Sequence, residues 1–217
     1  MTDYESYQPT TYPWSIVVSA VSSVCIFISF ASPYWLANDQ RLEQPEFLNL
    51  GLWQACFRNY RDYRYFYDRI YDGCYWTLSE EMHVIDDQIR KPFFVVVQVF
   101  YTLCFVLSLV GGAMSMILIL CPGESFEKKV LKTAYIAGAI AFFTGFLAVV
   151  IFGAMAPMEG WMPHPDHNNL SWSYALAVVG VVAQFAAALL FWLEFRIQRR
   201  KDSYINAHGS LPMETKA

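Results

Sequence analysis

Hydrophobic and charged positions separate into long blocks along this chain. Four stretches contain no Asp, Glu, Lys or Arg, and they hold 23, 29, 26 and 24 residues: 14–36, 92–120, 133–158 and 170–193. A helix that crosses the hydrocarbon core of a bilayer needs about 20 apolar residues. Because backbone groups inside a bilayer must bond to one another, such stretches form helices there. The pattern therefore predicts four transmembrane helices.

Composition favours a membrane protein over a soluble one. Charged residues make up 16% of the chain and hydrophobic residues 56%, whereas an average soluble domain has about 25% charged residues. Four buried helices in a soluble protein would need amphipathic helices to cover them, and the pattern contains none. The first block could instead be a cleaved signal peptide, since Ser29-Phe30-Ala31 resembles a cleavage site. The preceding segment contains Asp3 and Glu5 but no Lys or Arg, which argues against cleavage.

The Lys and Arg residues indicate which side of the membrane each loop faces. The short loop after the second span holds three Lys, and Arg196 begins a basic segment after the fourth span. The positive-inside rule then places both termini in the cytoplasm. The predicted order is a cytoplasmic N-terminal segment (1–13), a span (14–36), the first extracellular loop (37–91), a span (92–120), a cytoplasmic loop (121–132), a span (133–158), the second extracellular loop (159–171), a span (172–195) and a cytoplasmic tail (196–217).

The first extracellular loop contains two cysteines, Cys56 and Cys74. Two cysteines alone in one loop on an oxidising side usually pair, and closing this loop would contribute about 3 kcal/mol in the chain-entropy model. The alternative is two free thiols. The segment between them is rich in aromatic residues that alternate with other residues, which favours a hairpin of two strands. Further on, Ser79-Glu80-Glu81 predicts the start of a short helix that leads through Arg90 into Pro92.

An ordered set of motifs in this loop resembles a known family. Trp35, then Gly51-Leu52-Trp53, then Cys56 and Cys74 are similar to the W…GLW…C…C pattern of the claudin superfamily, of the PMP22/EMP/claudin type. The resemblance covers nearly the whole chain. It implies a left-handed four-helix transmembrane bundle under a small extracellular antiparallel β-sheet, with one strand from the second loop. It also implies that Cys56 and Cys74 form the family's disulfide and that Arg90 is its basic residue before the second span.

The chain departs from vertebrate claudins in two places. Seventeen residues separate Cys56 from Cys74, more than vertebrate claudins have there, and this tyrosine-rich insert looks more like the invertebrate claudin-like proteins of septate junctions. At the end of the tail, Thr215 stands where a PDZ ligand has it. The final residue is Ala217, which is smaller than the Val that usually ends such ligands and argues against a PDZ scaffold as partner.

Small and polar residues within the spans predict helix packing. Gly138, Gly145 and Gly153 recur along the third span, and small residues let helices approach closely in lipid; Ala183 and Ala187 repeat that pattern in the fourth. Gln98 and Gln184 are expected to form hydrogen bonds within the bundle. A polar pathway is the alternative, but no charged residue lies in the middle of a span, which argues against a transporter or pump.

Several other positions are candidates for modification or contact. Asn169 begins a glycosylation sequon next to the fourth span, and Cys121 is a candidate for palmitoylation at the cytoplasmic edge of the second. His164, Asp166 and His167 are interpreted as loop residues rather than a metal site. Residues 158–163 are mostly apolar and are expected to form an exposed tip that contacts partners.

The motifs predict association rather than chemistry. No nucleophile–base pair, metal cluster or phosphate loop is apparent, so no enzymatic activity, cofactor or nucleic-acid partner is expected. The resemblance implies a claudin-like protein of lateral cell–cell junctions in the plasma membrane, which contributes to septate-junction assembly and the paracellular barrier. Its partners would be other claudin-like proteins in cis and trans, septate-junction adhesion proteins and the lipid bilayer. The alternative is an auxiliary subunit of a channel or receptor, because relatives share this scaffold and fold does not fix function.

Overall fold

The computed structural model describes residues 12–61, 69–120 and 124–208. Within these residues, four helices are long and apolar enough to cross a membrane. The elements in chain order are α1 (Tyr12–Ala31), β1 (Leu36–Asn38), β2 (Phe47–Leu50), β3 (Gln54–Arg61), β4 (Ile70–Trp76), a 3₁₀ helix (Glu80–Ile85), α2 (Asp86–Ile89), α3 (Pro92–Leu120), α4 (Glu124–Met155), a second 3₁₀ helix (Pro165–His167), β5 (Asn168–Leu170) and α5 (Trp172–His208).

The four long helices form a ring in which each packs against two neighbours. Helix α1 packs against α3 and α5, and α4 also lies between α3 and α5. Helix α1 ends at Ala31, before the end of the uncharged stretch, because the residue preceding Pro33 is disfavoured in the helical region. Helix α3 begins at Pro92, where a proline loses no helical hydrogen bond. Helices α4 and α5 both continue into the charged segments at the end away from the sheet.

A five-stranded antiparallel sheet lies at the other end of the bundle, which we call the sheet end. Its strand order is β4-β3-β2-β1-β5. The first loop supplies β1 to β4 and the second supplies β5, which pairs with β1 through Leu36 opposite Leu170. The structure thus confirms the predicted fold class, a four-helix membrane protein with a small antiparallel sheet.

Large apolar side chains line the inside of the bundle together with small and polar residues, and other large apolar side chains face outward. Phe143 and Val182 are each 60% exposed, as expected for side chains that contact lipid. A Cβ at Gly145 would lie 2.7 Å from Cys104 Sγ on α3 and equally close to Val181 on α5, so this glycine is a point of close helix approach, as predicted. Gln184 accepts a 2.7 Å hydrogen bond from Ser22 Oγ across α1 and α5, which confirms its predicted role.

Candidate functional site

The sheet is held on the bundle by the buried indole of Trp35. This residue follows α1 and is fully buried. Its Nε1 donates a 2.7 Å hydrogen bond to the Ser29 carbonyl oxygen near the end of α1. Its ring makes edge contacts with Tyr101 on α3, Phe152 on α4 and Tyr174 on α5. One side chain therefore joins all four long helices at the level where the chain enters the sheet.

Gly51 is required by close backbone approach rather than by an unusual backbone conformation. A Cβ there would overlap the Ser32 carbonyl oxygen and lie 2.5 Å from Pro33 Cα. Positive φ angles in the described chain belong to other residues: Gln40, Asn59, Gly73, Gly160 and His164. The requirement for glycine at this position is therefore steric. The glycine lets the turn after β2 lie against the chain that leaves α1.

The next two residues of the motif connect the sheet to α3 and α1. Leu52 is fully buried, and its carbonyl oxygen accepts a 2.6 Å hydrogen bond from Gln98 Nε2 on α3. Trp53 packs its ring edge-on to Phe30 of α1, with centroids 5.3 Å apart, and lies nearly parallel to Trp76 at 6.2 Å. The Gly-Leu-Trp segment thus fixes the sheet to the membrane-spanning helices through both backbone and ring contacts.

The hairpin of β3 and β4 is closed by a disulfide. Cys56 and Cys74 are directly opposite in the strand register, and they form the predicted disulfide bond. The pairing is irregular between Phe57 and Tyr60, where Asn59 takes a left-handed conformation with φ of 47°, one that Asn tolerates better than most residues. The alternating tyrosines between the strands lie outside the described residues, so their predicted strand pairing stays a prediction.

A helical segment leads from the hairpin back into the membrane, as predicted. Tyr71 on β4 donates a 3.2 Å hydrogen bond to the Glu81 carbonyl oxygen in the 3₁₀ helix. At the end of α2, Arg90 forms two hydrogen bonds to the Asp86 carboxylate, one of them 2.7 Å long. The bond to Asp86 is the main reason that the pKa of Arg90 is raised above its ordinary value. Arg90 therefore stabilises the short helix that precedes α3.

Trp161 and Met162 of the second loop pack inward, contrary to the exposed apolar tip expected for residues 158–163. Trp161 is fully buried and Met162 is 4% exposed. The Trp161 ring packs edge-on to Phe93 at 4.8 Å, and its Nε1 donates a 3.1 Å hydrogen bond to the Ile89 carbonyl oxygen. An indole next to apolar ring faces of the bundle gains more from burial than from exposure. The expectation of an apolar contact tip is therefore wrong.

An acid–histidine pair joins the two loops at the edge of the sheet. His167 Nδ1 lies 3.2 Å from an Asp39 carboxylate oxygen, and the Asp39 backbone N–H donates a 2.8 Å hydrogen bond to the His167 carbonyl oxygen. The pKa of Asp39 is lowered, first by a hydrogen bond from the Arg41 backbone and then by His167. This contact was not foreseen, because nothing in the sequence relates residues so far apart. Among the described residues, no group of three or more His, Cys, Asp or Glu side chains that could hold a metal ion is found.

Two candidate modification sites remain predictions. Asn169 is exposed on β5 opposite Ala37, three residues before α5 begins at Trp172. Cys121 lies outside the described residues.

The surface of the sheet is suited to association. Strands β4 and β5 are the edges of the sheet as described, and an edge strand presents backbone groups that can pair with another chain. On and just after β4, Ile70, Trp76 and Leu78 are 44%, 55% and 52% exposed. The β4 edge thus combines backbone groups open to pairing with exposed apolar side chains.

The comparison with protein families agrees with the motifs. A family model described as PMP-22/EMP/MP20/Claudin tight junction matches residues 20–193. No curated protein matches the chain. The matched range begins inside α1 and ends inside α5, so it covers the sheet, α3 and α4 in full and more than half of α1 and α5.

Proposed function

Because the chain belongs to the PMP-22/EMP/MP20/claudin family, we propose that it is a cell-junction protein that contributes to septate-junction assembly and to the paracellular barrier of epithelia. The observation that carries this proposal is the sheet fixed to the bundle through Trp35 and Gly51-Leu52-Trp53. A rigid sheet at one end of a membrane bundle holds its edges in a defined orientation relative to the membrane. Such an orientation allows repeated lateral contacts along a cell border.

The proposed assembly uses two kinds of contact. Copies side by side in one membrane, or other claudin-like proteins, would meet through the β4 edge and its exposed apolar residues, Ile70 and Trp76. Copies on opposing cells, together with adhesion proteins of septate junctions, would meet through the ends of the loops. The long insert between Cys56 and Cys74 supports septate rather than vertebrate-type tight junctions in this proposal.

The charge of the first loop bears on ion passage along the cell border. Residues 37–91 hold seven Lys or Arg and ten Asp or Glu, a net charge of 7 − 10 = −3, while residues 57–73 hold four Arg and three Asp, a net charge of 4 − 3 = +1. A negatively charged surface along the gap between cells favours the passage of cations over that of anions. We therefore propose cation preference, and a dilution potential that indicates anion preference would reverse this assignment.

Loss and rescue in a polarised epithelium test the proposal. Cells that lack the protein are expected to leak a paracellular dextran. The wild-type chain should restore exclusion, and so should Q44D, which places a charge on an exposed loop position away from the β4 edge. I70D, which places a charge on that edge, should reach the cell border and fail to restore exclusion. Full dextran exclusion without the protein would refute the barrier role.

Immunolocalisation and co-purification separate this function from that of a channel or receptor subunit. A junction protein is expected in a continuous lateral belt and should bring down claudin-like and adhesion proteins. Diffuse or synaptic staining, with co-purification of a pore-forming protein, would favour the subunit.

A further inference from the structure

At the end of the bundle away from the sheet, α4 and α5 pack side by side in a regular antiparallel register. Lys128 on α4 forms an ion pair with Asp202 on α5. Seven residues further along α4 and seven back along α5, Tyr135 contacts Phe195 with ring centroids 5.5 Å apart. A step of seven residues is two helical turns, so these two contacts mark one continuous seam between the helices.

This register fixes which residues share the outer flank of the helix pair. On α4 the buried residues Leu131 and Ala134 face the other helices, and Lys129 and Lys132 lie on the exposed side of the seam. On α5 the buried Glu194 faces inward. Arg196 and Arg199 are both exposed. Because they are three residues apart, they share one face of α5, and that face lies on the exposed side of the seam.

The four cations form a strip without an acidic partner. We define the cationic strip as Lys129, Lys132, Arg196 and Arg199. In the parts of the chain that the structure describes, none of these residues has a carboxylate oxygen within 4.0 Å. The nearby carboxylate of Asp202 is engaged by Lys128 on the seam. The strip therefore presents uncompensated positive charge to its surroundings.

The strip lies where the helices leave the apolar part of the membrane. Lys132 immediately precedes the uncharged stretch that begins at residue 133, and Arg196 follows the one that ends at residue 193. The Arg196 guanidinium lies over the Trp192 ring, 5.1 Å from its centroid, and tryptophan side chains settle at the level of lipid headgroups. On the apolar side of the strip, Ile136 and Leu189 are 39% and 45% exposed. Cations and lipid-facing apolar side chains thus adjoin on one surface.

We infer that the cationic strip binds the headgroup of an anionic phospholipid in the adjacent leaflet, with the acyl chains against Ile136 and Leu189. Arg and Lys bind phosphate oxygens with charge-assisted hydrogen bonds, and Arg can do so through two parallel bonds. A headgroup with several phosphates can contact cations from both helices, whereas a single phosphodiester can contact fewer of them. The strip therefore favours a phosphoinositide over phosphatidylserine and either over phosphatidylcholine. This inference does not depend on the proposed role at cell junctions.

Lipid binding by the purified full-length chain tests the inference. The chain in dodecyl maltoside is titrated with phosphatidylinositol 4,5-bisphosphate that carries a fluorescent acyl chain, and binding is followed by anisotropy. Unlabelled phosphatidylserine should compete weakly, and phosphatidylcholine should not compete. The variant K132Q/R199Q removes one cation from each helix. Since each cation near a membrane surface contributes roughly fivefold to such binding, affinity should fall by at least about tenfold.

A matched variant separates a local site from a general effect of charge. R41Q/R58Q removes two exposed cations at the sheet end and changes the net charge equally; it should bind within about twofold of wild type, as expected if the effect of charge is local. K132R/R199K keeps both charges and should keep binding. If K132Q/R199Q does not fold, K132Q and R196Q alone should each lose about fivefold. Equal competition by phosphatidylcholine, unchanged binding by K132Q/R199Q, or equal loss in R41Q/R58Q would overturn the inference.

Discussion

Two residues at the sheet end of the bundle show how single positions set the placement of the sheet. Trp35 donates its indole hydrogen to the last turn of α1 and contacts rings from the other three long helices. Gly51 leaves room for the backbone at Ser32 and Pro33 to pass within van der Waals distance. One residue contributes a large buried surface, and the other contributes the absence of a side chain. Both are needed for the same close contact.

Substituting Gly51 by alanine should destabilise the protein. The new Cβ would lie 2.5 Å from Pro33 Cα, and because its neighbours are backbone atoms they cannot rotate away. We expect a loss of about 2 kcal/mol or more, measured as a lower melting temperature of the detergent-solubilised protein. G112A is the control, since its Cβ would lie 3.5 Å from Ser23 Oγ, an ordinary contact. Equal melting temperatures for G51A and G112A would contradict the steric role.

The Asp39 carboxylate, which accepts a hydrogen bond from the Arg41 backbone N–H and lies next to His167, should make stability depend on pH at acidic values. The folded state lowers the pKa of Asp39 below its ordinary value of 3.8. Its ionised carboxylate therefore stabilises the folded state above about pH 4, and this contribution is lost as the pH falls through the lowered pKa. D39N should melt below wild type at pH 7, and the difference should shrink towards pH 3. D72N changes an exposed acid and should show neither effect; a pH-independent difference for D39N would contradict the assignment.

Among the secondary-structure elements, the β3–β4 hairpin and the second loop differ in how far the sequence predicts them. The hairpin could be predicted because its signals are local: two cysteines in one loop and an aromatic-rich segment between them. Strand β5 was predicted only through the family resemblance, because its three residues, Asn168–Leu170, are too few to show an alternation of apolar and polar positions. The burial of Trp161 was mispredicted, since an apolar loop residue looks the same in sequence whether it faces solvent or the aromatic rings of α3 and α4.

The disulfide should account for a measurable part of the stability of the sheet. Cys56 and Cys74 close a segment with a sequence separation of 18, and the chain-entropy model assigns such a closure about 3 kcal/mol. The variant C56S/C74S should therefore melt well below wild type, and a reductant should lower the melting temperature of wild type but not of the variant. C25S, which changes a free cysteine in α1, should respond to reductant as wild type does. A wild-type protein insensitive to a reductant that opens the bond would contradict this prediction.

For the protein as a whole, charge and covalent chemistry support the same predicted orientation in the membrane. The disulfide at the sheet end is typical of an oxidising compartment. The cationic strip and the Lys128–Asp202 pair lie at the opposite end, where the positive-inside rule expects the cytoplasm. The fold class could be predicted from the sequence because the apolar blocks are long. The cationic strip could not, because its cations are about 65 residues apart in the chain and only the register of α4 and α5 brings them together.

This orientation predicts which surfaces an impermeant thiol reagent can reach on intact cells. Q44C places a thiol in the loop between β1 and β2, where Gln44 is exposed, and Y204C places one near the end of α5, where Tyr204 is 68% exposed. Q44C should be labelled on intact cells well above the wild-type background, because the predicted orientation places the sheet outside the cell. Y204C should stay at that background until the membrane is permeabilised, and should then be labelled like Q44C. Labelling of Y204C without permeabilisation would place the basic end outside the cell, where few anionic lipids are found, and so would also remove the expected ligand of the cationic strip.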